Sequence, residues 1–347
     1  MERRGNGNNL HWLHWKNSMH SVYFKKTKEG LQCNICPRLC VLKKNEYGFC
    51  QSRYSNGDEI VLKTYGHISA ASIEPIEKKP IFHFLPGVKT LSLGGKGCTF
   101  ACDYCQNYKL SQEKTVATEI MSLQDVVDQA KDNQCRVICL TYNEPIPSLE
   151  YILDLANLAH KNNLFLTLNT NAFSEKQAWS DICDVVDAMN IDYKGNNQMQ
   201  YYDTTKIDAF AIVVSRIQEA LLRDDVHIEI SVPVLSDFNV KDYFLLRNFI
   251  KQYKQETPIH LLKIIPFNRR VEAAPTSDKF LFCLYDYFKE KLPFVYLHNI
   301  FGNLYSHYRS TFCQHCGHEI LKRQALEITW DKDGGCDKCM SNFYIIK

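Results

Sequence analysis

Between residues 90 and 300 the chain alternates short apolar runs with longer stretches in which apolar residues recur every three or four positions. The runs at 90–93, 136–141, 164–169, 188–193, 227–234, 260–265 and 295–297 are bounded by polar or turn-forming residues, which predicts buried strands. The stretches at 122–131, 146–161, 175–185, 208–222 and 240–253 have helical period, and Ser122 stands where the first of them needs an N-cap. Repeating strand–helix units of this length predict an α/β fold with a parallel sheet closed, or partly closed, into a TIM-like barrel. In such barrels the loops after the strands carry the chemistry.

The flanks read differently. Residues 1–30 form a polar arm in which His11, Trp12, His14, Trp15 and His20 recur, and no role is assigned to them. Residues 59–66 predict a strand ending in a turn, whereas 73–87 holds three prolines and reads as an ordered connector, not a helix. After residue 306 closely spaced cysteine pairs dominate. The expected division is therefore an N-terminal cysteine-rich region at 1–89, a barrel at 90–305 and a ribbon-like module at 306–347.

Composition narrows the function. At 347 residues, 45% hydrophobic and 23% charged, the chain is an ordinary globular protein large enough to bury a full core. A net charge of +2 makes no electrostatic case for a nucleic-acid or membrane partner. The polar N-terminus lacks a signal-peptide core and no run is long enough to span a bilayer, so a cytoplasmic location is expected. The fifteen cysteines are clustered: four lie in 33–50, three in 98–105 and four in 313–339. In a reducing compartment such clusters signal metal more often than disulfide. The isolated Cys135, Cys139, Cys183 and Cys283 read as ordinary buried side chains.

Cys98, Cys102 and Cys105 carry the strongest signal. Their C-x3-C-x2-C spacing follows an apolar run and the pair Gly94-Gly95, a strand-to-loop exit that folds three thiolates around one metal centre. Three cysteines on a four-iron cube leave one iron open, and open metal positions are where chemistry happens. The competing reading is a three-cysteine zinc site, for which His83 is the nearest upstream histidine. Cys33, Cys36, Cys40 and Cys50, at C-x2-C-x3-C-x9-C, suit a second cluster or a tetrahedral zinc. Cys313, Cys316, Cys336 and Cys339, at C-x2-C-x19-C-x2-C, match a zinc ribbon, with a third cluster as the alternative and a structural role in either case.

Polar groups also stand at the end of strand after strand. Asn143-Glu144 follows 136–141 and suits an ammonium; Asn169 and Asn171 follow Phe165-Leu166-Thr167-Leu168. Asp192 and Lys194 place a carboxylate and an ammonium two residues apart on one strand face.

Taken together, these motifs resemble the AmmeMemoRadiSam-system radical S-adenosylmethionine (SAM) enzymes, relatives of the pyruvate formate-lyase activases. The resemblance rests on the Cys33–Cys50 set, the 75–80 and 83–87 stretches, Cys98–Cys105 with Gln106-Asn107, residues 141–145 and 190–195, and Gly302-Asn303 ahead of the terminal cysteine pairs. It implies a partial (β/α)6 barrel in which Cys98, Cys102 and Cys105 bind a [4Fe–4S] cluster. It also implies Tyr104 beside the adenine, the Asn143-Glu144 region at the SAM amino group, and Asp192 and Lys194 facing SAM or substrate. The implied reaction is reductive cleavage of SAM to a 5′-deoxyadenosyl radical that abstracts hydrogen from a substrate, with a ferredoxin or flavodoxin as electron donor. Thr170-Asn171-Ala172 departs from the family's Thr-Asn-Gly, and Tyr193 stands where leucine is usual.

Two other functions compete. A glycyl-radical-enzyme activase is a narrower version, although here the extra cysteines precede the triad. A non-enzymatic zinc-binding adaptor would hold zinc in all three cysteine sets and do no SAM chemistry.

Overall fold

A computed structural model describes residues 20–300, 303–324, 327–330, 335–342 and 345–346. His11, Trp12, His14 and Trp15 of the arm and Gly302 lie outside the described residues. The centre is one eight-stranded sheet: β1 (Ala70–Pro75), β2 (Lys89–Gly94), β3 (Val137–Leu140), β4 (Phe165–Thr170), β5 (Ala188–Asp192), β6 (His227–Val234), β7 (Ile259–Lys263) and β8 (Val295–His298). Each strand pairs with its sequence neighbour, β2 to β8 run parallel, and β1 lies antiparallel on the outer edge of β2. Seven parallel strands extend the (β/α)6 expectation by one unit, and the antiparallel β1 runs into what reads from sequence as connector. With both faces covered, the parallel strands bury nearly every residue, which explains their continuous apolar runs.

The predicted helices form and cover the outside of the sheet. Ser122 caps Leu123–Asp132 through a capping box with Asp125. Leu149–Lys161 buries Leu149, Ile152, Leu155, Ala156 and Ala159, an i, i+3, i+4 stripe, against the sheet. Two helices beyond the predicted set, Gln198–Thr205 and Asp278–Lys289, complete the crossovers after β5 and β7.

The proline-rich connector is the floor of the barrel. Ile76, Ile81, Phe84 and Leu85 pack against Val137 and Ala188, which open β3 and β5. Above them the chain crosses the interior, where Asn169 and Asn190 donate to the carbonyls of Lys79 and Pro80 at 3.1 and 2.5 Å. The backbone N–H groups of Phe82 and His83 both donate to the Glu229 carboxylate, at 2.9 and 2.7 Å. Burial alone would push Glu229 up, but hydrogen bonds from His227 and His260 hold it well below the usual carboxylate range.

At the C-terminus β9 (Thr311–Phe312), β10 (Glu319–Gln324) and β11 (Glu327–Trp330) form a small antiparallel sheet. Its Arg323, 1% exposed, reaches back to the floor and donates to the Phe82 carbonyl at 2.6 Å. The N-terminal cysteines sit in short hairpins docked on the other side, where the buried Arg53 guanidinium meets Glu150 through two contacts of 2.6 Å.

Candidate active site

The sequence places chemistry at the carboxyl ends of the strands, and a cavity of about 750 Å³ opens there. Cys98, Cys102 and Cys105 line it together, and so do Asn143, Glu144 and Asn169. Asn171, Asp192 and Lys194 complete the same wall. Tyr104 does not line this cavity; it is buried in the core, with a hydroxyl that meets no hydrogen-bond partner. The sequence shows Tyr104 next to Cys105, but the tight turn at Cys102–Cys105 directs the ring inward.

The cysteine loop is held from every side. Asn143 accepts from the Gly95 N–H at 2.8 Å and donates to the Gly97 carbonyl at 3.0 Å. Asn171 donates to the Thr99 hydroxyl at 3.0 Å. Gln112 and Asn268 both donate to the Cys102 carbonyl, at 3.1 and 3.2 Å. Asp103, inside the loop, pairs with Arg270 at 3.0 Å. The two asparagines are thus committed to positioning the loop, leaving Glu144 as the side chain of the Asn143-Glu144 pair with charge to offer.

Glu144 is 3% exposed, and burial pushes its carboxyl up to about 7 against hydrogen bonds from Asn171, Thr170 and Ile146. A buried carboxylate held by three donors and lacking a cation suits an ammonium. Across the cavity Lys194 and Asp192 pair at 2.8 Å. Burial would lower Lys194, but Asp192 raises it well above its ordinary value, so it stays an ammonium. After β4, Ala172 takes the left-handed conformation with φ +55°, keeping the turn that a glycine makes more easily.

The two other cysteine sets differ in spacing. Cys313, Cys316, Cys336 and Cys339 are the group of possible metal ligands among the described residues whose ligand atoms all lie within 4.8 Å of one another. Their sulfur pairs stand at 3.5 and 3.4 Å, close to the S···S of about 3.8 Å that a tetrahedral ion with Zn–S near 2.3 Å requires. Cys33, Cys36, Cys40 and Cys50 line one small cavity with Arg38 and Arg53 but are not drawn to that spacing.

Residues 93–224 match the radical SAM superfamily. The chain is 30% identical over 311 residues to an uncharacterised protein of Methanocaldococcus jannaschii, covering 87% of this chain and 91% of that one. Among solved structures, SuiB of Streptococcus suis bound to its precursor peptide aligns with a TM-score of 0.48 at 14% identity, over 65% of this chain and 51% of that one. The present chain therefore spans about half the length of that protein. A domain of pyruvate-formate lyase-activating enzyme from Bacteroides vulgatus aligns with a TM-score of 0.40 at 14% identity, over 46% of this chain and 98% of that one.

The chain carries a domain of the radical SAM superfamily. Membership makes it an enzyme, implies a [4Fe–4S] cluster, SAM and a reductant of the ferredoxin or flavodoxin kind, and removes the metal-adaptor alternative. Among the described residues no helix is long and apolar enough to cross a membrane.

Proposed function

We propose that this protein binds its [4Fe–4S] cluster through Cys98, Cys102 and Cys105 and its SAM along the wall formed by Glu144, Asn171, Asp192 and Lys194. The observation that carries this is the single cavity: three thiols and the polar ends of β3, β4 and β5 face the same space. Bound there, the cluster and SAM supply reductive cleavage of the sulfonium to a 5′-deoxyadenosyl radical, which takes a hydrogen from the substrate.

The chain's own residues do the arranging. Asn143 and Asn171 fix the loop that turns the three cysteines to the cavity. Glu144 offers its carboxylate to the SAM ammonium. Lys194, kept charged by Asp192, stands ready for an anionic group. The depth of the cavity, with Cys102 only 8% exposed, keeps water from the reacting atoms.

The three-part organisation at 1–89, 90–305 and 306–347 belongs to the same reading. The C-terminal cysteines bind zinc. The N-terminal set, wider than one ion needs, holds a second iron–sulfur cluster. In support, Arg38 and Arg53 line that cavity with buried nitrogens, Nη2 and Nε, that have no hydrogen-bond partner and suit cluster sulfur. A ferredoxin or flavodoxin delivers the electron.

The test is anaerobic reconstitution with iron and sulfide, then dithionite and SAM, with 5′-deoxyadenosine as the readout beside Cys102→Ala. Product from the wild type alone supports the assignment. Equal product from Cys102→Ala, or none from an iron-loaded wild type in the presence of SAM and reductant, overturns it.

A further inference from the structure

Part of the cavity wall is left unused by the SAM reading. The barrel floor contributes Glu77 to this wall, β8 contributes His298, and the C-terminal segment contributes two arginines, Arg309 ahead of β9 and Arg323 within β10.

The two guanidiniums have different fates. Arg323 is committed through both terminal nitrogens, although its Nε, like that of Arg309, has no hydrogen-bond partner. Besides the Phe82 carbonyl it donates to the Arg309 carbonyl at 3.1 Å and the Thr311 hydroxyl at 2.8 Å. Its charge is answered by Glu77, 3.9 Å from Nε, and its guanidinium carbon sits 4.1 Å from the centre of the Phe82 ring. Among the described residues Arg309 has no such partners. Its side chain makes no hydrogen bond or ion pair with any described residue, and its Nε is shut off from solvent. Buried polar nitrogens without partners are rare in native proteins and call for an explanation. Glu77, whose charge acts on Arg309, is already engaged by Arg323 and by the Gly87 N–H at 2.9 Å.

The histidine beside the arginines adds no charge. His298 Nε2 lies 2.8 Å from His260 Nδ1, and His260 Nε2 lies 2.6 Å from the Glu229 carboxylate. Burial, with His260 and the two arginines facing it, holds His298 well below its ordinary value. This part of the cavity wall thus presents a planar guanidinium fork with donors to spare, flanked by a neutral imidazole.

We infer that Arg309 binds an anionic group of the substrate, a carboxylate or a phosphate, and so orients the rest of the molecule toward the cysteine loop. A guanidinium meets either group through two parallel hydrogen bonds, which fixes direction as well as position. The substrate is then an anionic molecule small enough to share the cavity with SAM. This rests on the assignment of SAM to the wall beside the cysteines.

Isothermal titration of inorganic phosphate, and separately of glutarate, into the reconstituted full-length protein and into Arg309→Gln tests the site. The expected result is that one of the two anions binds the wild type and that the variant weakens it by about tenfold or more. Which anion binds distinguishes phosphate from carboxylate. Arg309→Lys keeps the charge without the fork and weakens binding by a smaller factor, and it carries the test should the glutamine variant not fold. Binding of neither anion, or equal binding by all three proteins, overturns the proposal. So does an Arg309→Gln that loses SAM affinity in step with anion affinity. SAM titrated into the same wild-type sample reports on that assignment: absence of SAM binding, with anion binding intact, overturns the SAM assignment and not the anion site.

Discussion

The Cys50 carbonyl oxygen lies 1.9 Å from where a β-carbon on Gly97 would stand, so the two cysteine-bearing segments touch backbone to backbone at the residue just before Cys98. Ser52 and Arg38 fasten the same joint, donating to the carbonyls of Lys96 and Thr99 at 3.0 and 2.6 Å. The N-terminal cysteines are therefore built into the back of the cysteine loop. A cluster on either side would have the other within reach through a few bonded and van der Waals contacts.

Gly97 cannot be replaced quietly. Its φ of +89° is a region that side chains occupy at a cost of about 1–2 kcal/mol, and the overlap with Cys50 adds to that. Gly97→Ala is expected to lower stability by more than about 2 kcal/mol and to lower iron content, because the loop must move to admit the methyl group. Denaturant unfolding and iron analysis check this, and wild-type values for both would show that the joint is looser than the contact implies.

Glu144 sets a pH dependence. Its folded-state value of about 7 lies above the ordinary carboxylate value of 4.5, so without SAM its contribution to stability is fully present below about 4.5 and is lost as pH rises toward 7. Binding of an ammonium beside it requires the ionised form. SAM affinity is accordingly expected to rise with pH by up to about tenfold per unit below 7 and to level off above it. Titrations between pH 5.5 and 8 would show the rise for the wild type and a flat profile for Glu144→Gln; parallel profiles would place the ammonium elsewhere.

Much of this was legible before the fold was known. The seven parallel strands stand where the apolar runs fall, because a strand covered on both faces must be apolar throughout. The cysteine loop and the polar residues after successive strands converge because barrel topology brings strand ends together. Less legible was anything that depends on one segment reaching across to another. The prolines of 73–87 exclude a helix but do not reveal a floor, whose evidence lies in Asn169, Asn190 and Glu229 on three separate strands. Asn143 and Glu144 are adjacent and look interchangeable as ligands, yet the hydrogen bonds to Gly95 and Gly97 take one of them out of contention. Arg309 and Arg323 carry no sequence signal of their own, since the segment that holds them reads as a metal-bound appendage.

The Arg53–Glu150 pair makes a stability test for the docking of the N-terminal region. Both side chains are essentially unexposed, at 1% and 0%, and they meet through two contacts of 2.6 Å. Removing one partner strands a buried charge, at a cost of about 3–5 kcal/mol. Glu150→Gln is expected to unfold at markedly lower denaturant, and a change under about 1 kcal/mol would mean that water reaches the pair.

The terminal cysteines connect a metal to the cavity. Cys313, Cys316, Cys336 and Cys339 close around a single-ion site, and the strand that follows the first pair, β10, carries Arg323 to the floor. Zinc there should persist at about one per chain in a protein whose Cys98, Cys102 and Cys105 are all alanine, since a fully protein-liganded site needs nothing from the iron–sulfur loop. Cys316→Ser should lose that zinc and about 2 kcal/mol or more of stability, because metal binding is coupled to the fold of its module. Without the module to hold β10, Arg323 loses its anchorage and the carbonyls of Phe82 and Arg309 lose their donor, so the Cys316→Ser protein should also bind phosphate or glutarate more weakly than the wild type. Metal analysis, unfolding and the anion titrations form one experiment. Iron in place of zinc would change the site's identity, and a zinc-free variant with wild-type stability and wild-type anion binding would cut the link between the ribbon and the cavity.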